Sequence, residues 1–170
     1  VSDLRAAYAQ EANSAAGVAQ AKENLAKLDP TQREAYNVIV EWAADVRARR
    51  DAAASSTAPA TTPQRILRLN MLLLGTAGTG KTHTAKCAIN EARRIFGDFD
   101  AVLTVAHSGV AAATLGGGSA TIDSVFHTNA EDADEDLEGN ALTMLVETLD
   151  QVELILVDEI STVGASQFEI

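Results

Sequence analysis

The sequence has few of the residues that stabilise secreted or membrane-spanning proteins. Its 170 residues contain one cysteine, Cys87, so a disulfide within the chain is excluded and a reducing compartment is expected. No stretch approaches the roughly 20 consecutive apolar residues that a transmembrane helix requires, and no apolar secretory segment lies near the start. We therefore expect an intracellular protein with no membrane partner.

Basic residues are scarce in the second part of the chain. Residues 1–65 contain eight basic and eight acidic side chains, whereas residues 66–170 contain five basic and sixteen acidic ones, which accounts for the net charge of −11. A protein that binds nucleic acid through charge alone requires a basic surface, because neutralising phosphates supplies most of its affinity. Composition therefore argues against a simple nucleic-acid binder. Hydrophobic residues at 46% and charged residues at 22% are typical of a globular domain.

The first part of the chain is predicted to be helical. Apolar residues at near-helical spacing among alanines predict an Ala-rich N-terminal helix over residues 1–28, which Asp29 and Pro30 end. A second helix is predicted to start at Thr31, with one apolar stripe. Residues 47–64 (RARRDAAASSTAPATTPQ) contain no large apolar side chain, so we expect a flexible insertion there.

From residue 66 onward, apolar runs of strand length alternate with helical segments. This order is typical of an α/β domain with a parallel sheet and right-handed crossovers, to which we assign residues 29–170. An acidic loop is predicted at residues 129–140. The predicted strands are residues 66–74, 101–106 and 153–157. The predicted helices are one that ends near residue 96 and three shorter ones at residues 110–115, 121–127 and 141–149.

Residues 75–82 read GTAGTGKT, which fits the phosphate-binding pattern G-x-x-x-x-G-K-[ST] between an apolar run and a helix. Glycines allow backbone N–H groups to fold around an anion, and the start of the following helix adds a partial positive charge. The lysine would contact the β- and γ-phosphates of ATP, and the threonine hydroxyl would bind Mg²⁺. The alternative is a glycine turn that only joins a strand to a helix. The predicted nucleotide-binding residues of this pattern are Gly75, Thr76, Ala77, Gly78, Thr79, Gly80, Lys81 and Thr82.

A second motif lies at residues 154–159, which read LILVDE. Asp158 is placed to hold a metal ion at the end of an apolar strand, and Glu159 is placed to orient or deprotonate an attacking water. On its own, an apolar run before two carboxylates usually means only a strand that ends in a solvated turn. Together with the phosphate-binding pattern, it indicates a P-loop ATPase that uses ATP and Mg²⁺. The predicted catalytic residues are Lys81 and Glu159, and the predicted metal ligands are Thr82 and Asp158.

Four segments, in this order, resemble the motifs of the Pif/RecD-type superfamily 1 DNA helicases. Residues 28–32 (LDPTQ) resemble the adenine-recognising glutamine motif, and GTAGTGKT resembles motif I. Residues 102–110 (VLTVAHSGV), followed by AAATLGGGSATIDSVFH, resemble the motif Ia region. Residues 154–162 (LILVDEIST) resemble motif II, so that the resemblance covers residues 26–170.

The resemblance implies a fold and a function. The fold would be a RecA-like P-loop NTPase domain of the α/β class, with a parallel sheet flanked by helices. The function would be ATP-dependent DNA unwinding with 5′-to-3′ polarity, in DNA repair, recombination and telomere maintenance. Gln32 would read adenine, and Ser108 and Gly109 would contact the single-stranded DNA that the complete helicase binds. The departures from the family pattern are His107 and Ser108 for Pro-Thr, Asp123 for histidine and Thr162 for methionine.

The sequence ends at Ile170, shortly after the segment that resembles motif II. By resemblance, a second RecA-like domain supplies an arginine finger, and a later strand lies between the P-loop strand and the motif II strand. We therefore expect an incomplete domain, with a gap or an unusual pairing between these strands. These residues alone are expected to hydrolyse ATP poorly and not to unwind DNA.

Two alternatives to a helicase stay open. One is another P-loop enzyme, such as a nucleotide-dependent kinase or a chaperone-like ATPase, since a fold does not select an activity. The other is a truncated remnant that binds nucleotide or a partner without turnover. Hydrolysis of ATP that DNA stimulates would separate a helicase from both.

Overall fold

The computed structural model describes residues 7, 10–11, 13–55, 68–126 and 139–163. The chain divides into two compact units. The helical unit is Glu11–Asp98, and the sheet unit is Phe99–Ile170 together with Val1–Gln10. The α/β class that the sequence predicts is confirmed, whereas the predicted domain limits stay predictions.

The predicted N-terminal helix is interrupted at Ser14. One continuous helix is the wrong prediction here, because Ser14 has an extended backbone (φ −66°, ψ 157°) and caps helix α1, Ala15–Ala26. The Ser14 Oγ accepts a hydrogen bond from the N–H of Gly17 at 3.0 Å and donates one to the carbonyl of Glu11 at 2.7 Å. Serine competes for backbone hydrogen bonds in this way, so it favours helix starts over helix interiors.

Helix α2, Pro30–Ser55, extends further than the sequence predicts. The flexible insertion expected at residues 47–64 is wrong in its first part, because that segment is helical through Ser55; the remainder lies outside the described residues. Alanine-rich sequence favours the helix. In addition, Arg47 Nε donates to the Asp51 carboxylate at 3.0 Å, and the same guanidinium bonds the carbonyl of Phe96. Intrahelical and tertiary bonds therefore order a stretch that has no large apolar side chain.

Helix α3, Lys81–Phe96, packs against α1 and α2. Its buried residues recur every three or four positions, as on one face of a helix: Thr84, Ala85, Ala88, Ile89, Ala92 and Phe96. Tyr36 of α2 shares a buried cluster with Ala88, and the Trp42 ring meets the Phe96 ring edge-on, with 6.3 Å between their centroids. The helix predicted to follow the phosphate-binding pattern is confirmed.

The sheet unit contains a parallel sheet whose described strands have the order β2-β1-β3. The strands are β1 (Val102–Ala106), β2 (Ala120–Thr121) and β3 (Leu154–Asp158). β1 is buried along its whole length because it lies between the other two strands. Ala106 of β1 is paired with Asp158 of β3, which aligns the C-terminal ends of these strands. The strands predicted at residues 101–106 and 153–157 are confirmed with slightly shifted ends.

Helices pack on both faces of this sheet. They are α4 (Gly109–Leu115), α5 (Ile122–Phe126) and α6 (Gly139–Asp150). Alternate residues of a strand point to opposite faces. Ala106 accordingly packs against α4 on one face. Leu103 and Val105 form the other cluster, with Ile122 of α5 and Leu149 of α6. The layered arrangement of helices around a parallel sheet is the one that the sequence predicts.

The apolar run before the phosphate-binding pattern forms no strand in its described part, residues 68–74. The prediction of a buried strand at residues 66–74 is wrong for these residues, since Leu72 is 62% exposed and Leu74 is 79% exposed. A strand is stable only where neighbouring strands bond its N–H and C=O groups. No described strand pairs with this segment, and β3 pairs with β1 alone among the described strands. Without a partner, an apolar run of strand length does not become a strand.

Candidate nucleotide-binding site

The phosphate-binding pattern forms a tight turn that leads into helix α3. Gly80 is the N-cap of this helix with φ 76°, and Gly78 has φ 79°. Both lie in the left-handed region, where a side chain is strained and glycine is not. Gly80 brings no side chain to cap the first N–H groups of α3, so the helix start can bind an anion. The turn is also tight at its start, since a Cβ on Gly75 would lie 2.7 Å from Thr79 Oγ1.

Lys81, the first residue of α3, extends across this turn. Its Nζ donates hydrogen bonds to the carbonyls of Gly75 and Thr76, both at 2.8 Å. Thr79 Oγ1 donates to the same Thr76 carbonyl at 2.9 Å, which braces the turn internally. An ammonium group has three donors, so bonds to two carbonyls leave one donor for a phosphate oxygen. The lysine is therefore already positioned over the loop that is predicted to bind the phosphates of ATP.

Gln32 reaches the same turn from the start of α2. Asp29 and Gln32 form a reciprocal capping pair: the Gln32 N–H donates to Asp29 Oδ1 at 2.9 Å, and the Asp29 N–H donates to Gln32 Oε1 at 3.1 Å. Gln32 Nε2 then donates to the carbonyl of Thr79 at 2.9 Å. The contact is close, since a Cβ on Gly80 would lie 2.5 Å from this Nε2. The structure therefore brings the predicted adenine-binding residue onto the predicted phosphate-binding turn.

Sequence reasoning missed two residues that support this turn. Thr84 is 1% exposed, and both its Oγ1, at 3.1 Å, and its N–H, at 2.9 Å, donate to the carbonyl of Gly80. A threonine four residues after the last glycine of the pattern is the available signal, because threonine hydroxyls bond the carbonyl four residues earlier in helices. Asp29 is the second such residue. The spacing Asp-x-x-Gln before an apolar helix is a capping signal that the sequence carries openly.

The predicted catalytic carboxylates lie at the C-terminal edge of the sheet. Asp158 is the last residue of β3 and pairs with Ala106, the last residue of β1. The residues that follow the two strands therefore leave the sheet at one edge, the edge at which parallel α/β sheets gather their binding residues. Glu159 follows β3, and Ser108 and Gly109 follow β1 shortly after its end. The structure thus brings the predicted DNA-contacting turn and the two carboxylates to the same edge.

Glu159 has a left-handed backbone, with φ 56° and ψ 37°, and no other non-glycine residue in the described part of the chain has a positive φ. Its N–H donates to Asp158 Oδ1 at 3.0 Å. Its carbonyl accepts bonds from the N–H of Thr162 at 3.0 Å and from Thr162 Oγ1 at 2.7 Å, which anchors the 3₁₀ turn Ile160–Thr162. A non-glycine residue in this region costs roughly 1–3 kcal/mol, and such residues cluster at functional sites.

Ser108 has a structural role at the start of α4. Its Oγ accepts a hydrogen bond from the N–H of Ala111 at 3.2 Å, as an N-cap side chain does. A hydroxyl that accepts still has its own hydrogen to donate, so the cap and a contact to DNA are compatible. Gly109 is exposed, and a Cβ there would meet no atom within 4 Å. That both residues contact single-stranded DNA stays a prediction.

The sequence predicts Thr82 and Asp158 as metal ligands. The described residues contain no group of three or more His, Cys, Asp or Glu side chains that would hold a metal by themselves. Mg²⁺ in nucleotide sites commonly takes one or two protein ligands and completes its shell with phosphate oxygens and water. A hydroxyl and a carboxylate are oxygen donors of the kind that this ion prefers, so the two residues fit it in type.

The fold and the turn define a class of protein. A parallel sheet with helices on both faces, in one unit, and a glycine-rich turn with its lysine at a helix start, in the other, are features of P-loop NTPases of the RecA-like type. A family model described as PIF1-like helicase matches residues 65–170, more than half of the chain. The chain therefore belongs to the PIF1-like helicase family.

Other comparisons add no relatives. Neither the curated proteins nor the solved structures give a match to this chain. Within the described ranges, the helices lack the combination of length and apolar character that crossing a membrane requires.

Proposed function

We propose that this chain is the ATP-binding part of a DNA helicase that couples ATP hydrolysis to strand separation. Membership of the PIF1-like helicase family supports a helicase-type function in general. The observation that carries ATP binding is the turn itself, with Lys81 Nζ bonded across it and Gln32 Nε2 bonded to the Thr79 carbonyl. The proposal includes 5′-to-3′ polarity, roles in DNA repair, recombination and telomere maintenance, and a nuclear or mitochondrial location.

Each predicted residue has one task at the phosphates. Lys81 contacts the β- and γ-phosphates, and the ammonium hydrogen that the two carbonyls leave over donates a charge-assisted hydrogen bond to a phosphate oxygen. The Thr82 hydroxyl and the Asp158 carboxylate are the proposed ligands of Mg²⁺, which would neutralise charge on these phosphates. Glu159 orients the attacking water or accepts its proton. The left-handed backbone of Glu159 supports this assignment, because it holds a carboxylate at a position that glycine would occupy with less strain.

The amide of Gln32 has the capacity to read adenine without giving up its bonds to the protein. A side-chain amide has two donor hydrogens and two acceptor lone pairs. One donor is used by the carbonyl of Thr79 and one lone pair by the N–H of Asp29. The remaining donor and lone pair match adenine, which presents the N7 acceptor beside the N6 amino donor.

A titration of a fluorescent ATP analogue tests nucleotide binding in the 170-residue chain. The Lys81→Ala variant should bind about 10- to 100-fold more weakly, since hydrogen bonds to charged groups contribute roughly 1.5–3 kcal/mol. Lys86→Ala, which removes a lysine from the same helix, is the matched control and should bind as wild type. Equal affinities for wild type and Lys81→Ala would remove the basis of the proposal.

A second candidate function is ATP hydrolysis coupled to a partner other than DNA. The excess of acidic residues in residues 66–170 favours it, because an acidic surface repels phosphates. The two candidates differ in ATP turnover by the protein that contains this chain, measured with and without single-stranded DNA. If DNA stimulates ATP turnover and Glu159→Gln abolishes this stimulation, the result supports the helicase. If DNA leaves ATP turnover unchanged, the result supports the second candidate.

A further inference from the structure

The contact between Gln32 and the turn fixes one particular peptide group. Gln32 Nε2 donates to the carbonyl of Thr79, which belongs to the same peptide unit as the N–H of Gly80. The peptide unit is planar and trans, so its C=O and N–H point in opposite directions. Since the carbonyl is directed at Gln32, the Gly80 N–H is directed away from it. The side chain of Gln32 therefore determines which way one N–H group of the phosphate-binding turn points.

The position of Gln32 is in turn set by its own helix. The N–H of Asp29 bonds Gln32 Oε1 at 3.1 Å, so the amide plane is held at its acceptor end as well as at its donor end. Gly80 has φ 76°, and glycine adopts positive and negative φ about equally readily, so steric hindrance alone does not fix this peptide. A flexible peptide held by a side chain that is fixed at both ends is a device for ordering the turn before a ligand arrives.

We propose that Gln32 is a positioning residue for the phosphate-binding turn, and that it raises affinity for the phosphate chain itself, whichever base the nucleotide carries. This inference rests on the proposed nucleotide binding at residues 75–82. It differs from adenine recognition in what it predicts, because a residue that acts only on the base contributes nothing to a ligand without a base. A residue that orders the turn contributes to both kinds of ligand.

Inorganic tripolyphosphate in the presence of Mg²⁺ separates these two roles. In the Gln32→Met variant, which has nearly the same shape but no amide, affinity for tripolyphosphate and for ATP should both fall by roughly tenfold, since losing one net hydrogen bond has about this effect. Gln20→Met makes the same substitution on α1, where Gln20 Nε2 donates to Asn24 Oδ1 at 3.1 Å, and it should leave both affinities unchanged. A loss of ATP affinity with tripolyphosphate affinity intact would overturn the proposal.

The orientation of the peptide is also observable without any ligand. The amide resonance of Gly80 should shift in Gln32→Met, and also in Gln32→Glu, which keeps an acceptor for the Asp29 N–H but loses the donor to Thr79. The resonance should stay in place in Gln20→Met. An unshifted Gly80 amide in folded Gln32→Met or Gln32→Glu protein would contradict the proposal. Failure of wild type to bind either tripolyphosphate or ATP would instead refute the proposed nucleotide-binding function, and the inference with it.

Discussion

The two units hold their predicted functional residues in different ways. In the helical unit, side chains bond backbone carbonyls of the turn: Lys81 at Gly75 and Thr76, Gln32 at Thr79, and Thr84 at Gly80. In the sheet unit, backbone pairing places the end of β3. Glu159, the residue that follows this strand, is oriented by its own left-handed backbone. One unit is arranged by side chains that a substitution can remove, and the other by the main chain.

This difference predicts where substitutions act. A change to a bracing side chain in the helical unit should alter the shape of the turn and so the affinity for nucleotide. A change to a functional side chain in the sheet unit should leave the edge of the sheet in place, because the ladder between β1 and β3 does not depend on that side chain. Binding and turnover should therefore respond to different sets of residues.

The largest expected effect is on turnover, in the sheet unit. Glu159→Gln keeps the size and backbone of this residue but removes its charge, so ATP hydrolysis by the protein that contains this chain should fall by about 10²–10⁴-fold. Affinity for ATP should stay close to that of wild type. Steady-state hydrolysis and a nucleotide titration measure the two quantities, with Glu147→Gln on the exposed side of α6 as the control. Loss of binding together with turnover would break the distinction between the units.

The next effect is on binding, in the helical unit. Gly80→Ala places a Cβ 2.5 Å from Gln32 Nε2 and forces alanine to φ 76°, so ATP affinity should fall by more than tenfold. Gly97→Ala is a control with the same kind of strain, because Gly97 has φ 69° but a Cβ there would approach only Arg47, at 3.7 Å. It should lower the free energy of unfolding by about 1–2 kcal/mol and leave affinity unchanged. Similar affinities for the two variants would show that the Gln32 contact has no part in binding.

Two buried threonines allow a matched test across the units. Thr84 Oγ1 donates to the Gly80 carbonyl at 3.1 Å, and Thr104 Oγ1 lies 2.7 Å from Ser119 Oγ in the sheet unit. Replacement of either threonine by valine should lower the free energy of unfolding by about 1 kcal/mol, because each loses one buried hydrogen bond. Only Thr84→Val should also weaken ATP binding, by a few-fold. Denaturant unfolding and nucleotide titration measure both, and weaker binding in Thr104→Val would count against the comparison.

The smallest effect concerns the single cysteine. Burial raises the pKa of the Cys87 thiol on α3, so less reactive thiolate is present at a given pH than in the unfolded chain. Alkylation by iodoacetamide at pH 8 should therefore be slower in the folded protein than in urea. The alkylation rate of Cys87 should also increase at a higher pH than the alkylation rate of glutathione does. Equal rates in the folded and unfolded chain would mean that this part of the helical core is open.

Local signals account for most of what the sequence predicts correctly. The turn and α3 were predictable because glycines, lysine and the helical spacing of apolar residues act within a short stretch. The strands at β1 and β3 were predictable because both are short apolar runs, and both find a partner in the other. The run at residues 68–74 is just as apolar, yet it pairs with no strand in the described structure. Strand pairing depends on residues far away in the sequence and not on the composition of the run itself.

Other features depend on contacts that no local pattern contains. The bond from Gln32 to Thr79 joins residues far apart in the chain, and the order of residues 47–55 depends partly on the bond from Arg47 to Phe96. The break at Ser14 has the opposite origin. The Ser14 hydroxyl interrupts a long helical pattern there, because it accepts a bond from the Gly17 N–H and donates one to the Glu11 carbonyl, which an alanine would not do. The left-handed backbone of Glu159 has no sequence signal, since glutamate does not favour that region.

The backbone of Glu159 also has a consequence for protein engineering. A design procedure that scored only the folded chain would replace this residue by glycine or asparagine, which tolerate φ 56° better than glutamate does. Thermostability would improve by such a change while the proposed water-orienting carboxylate disappeared. At position 159, a substitution that increases stability is therefore expected to decrease turnover. Stabilised variants of this chain should be sought elsewhere, at surface positions of α1 and α2.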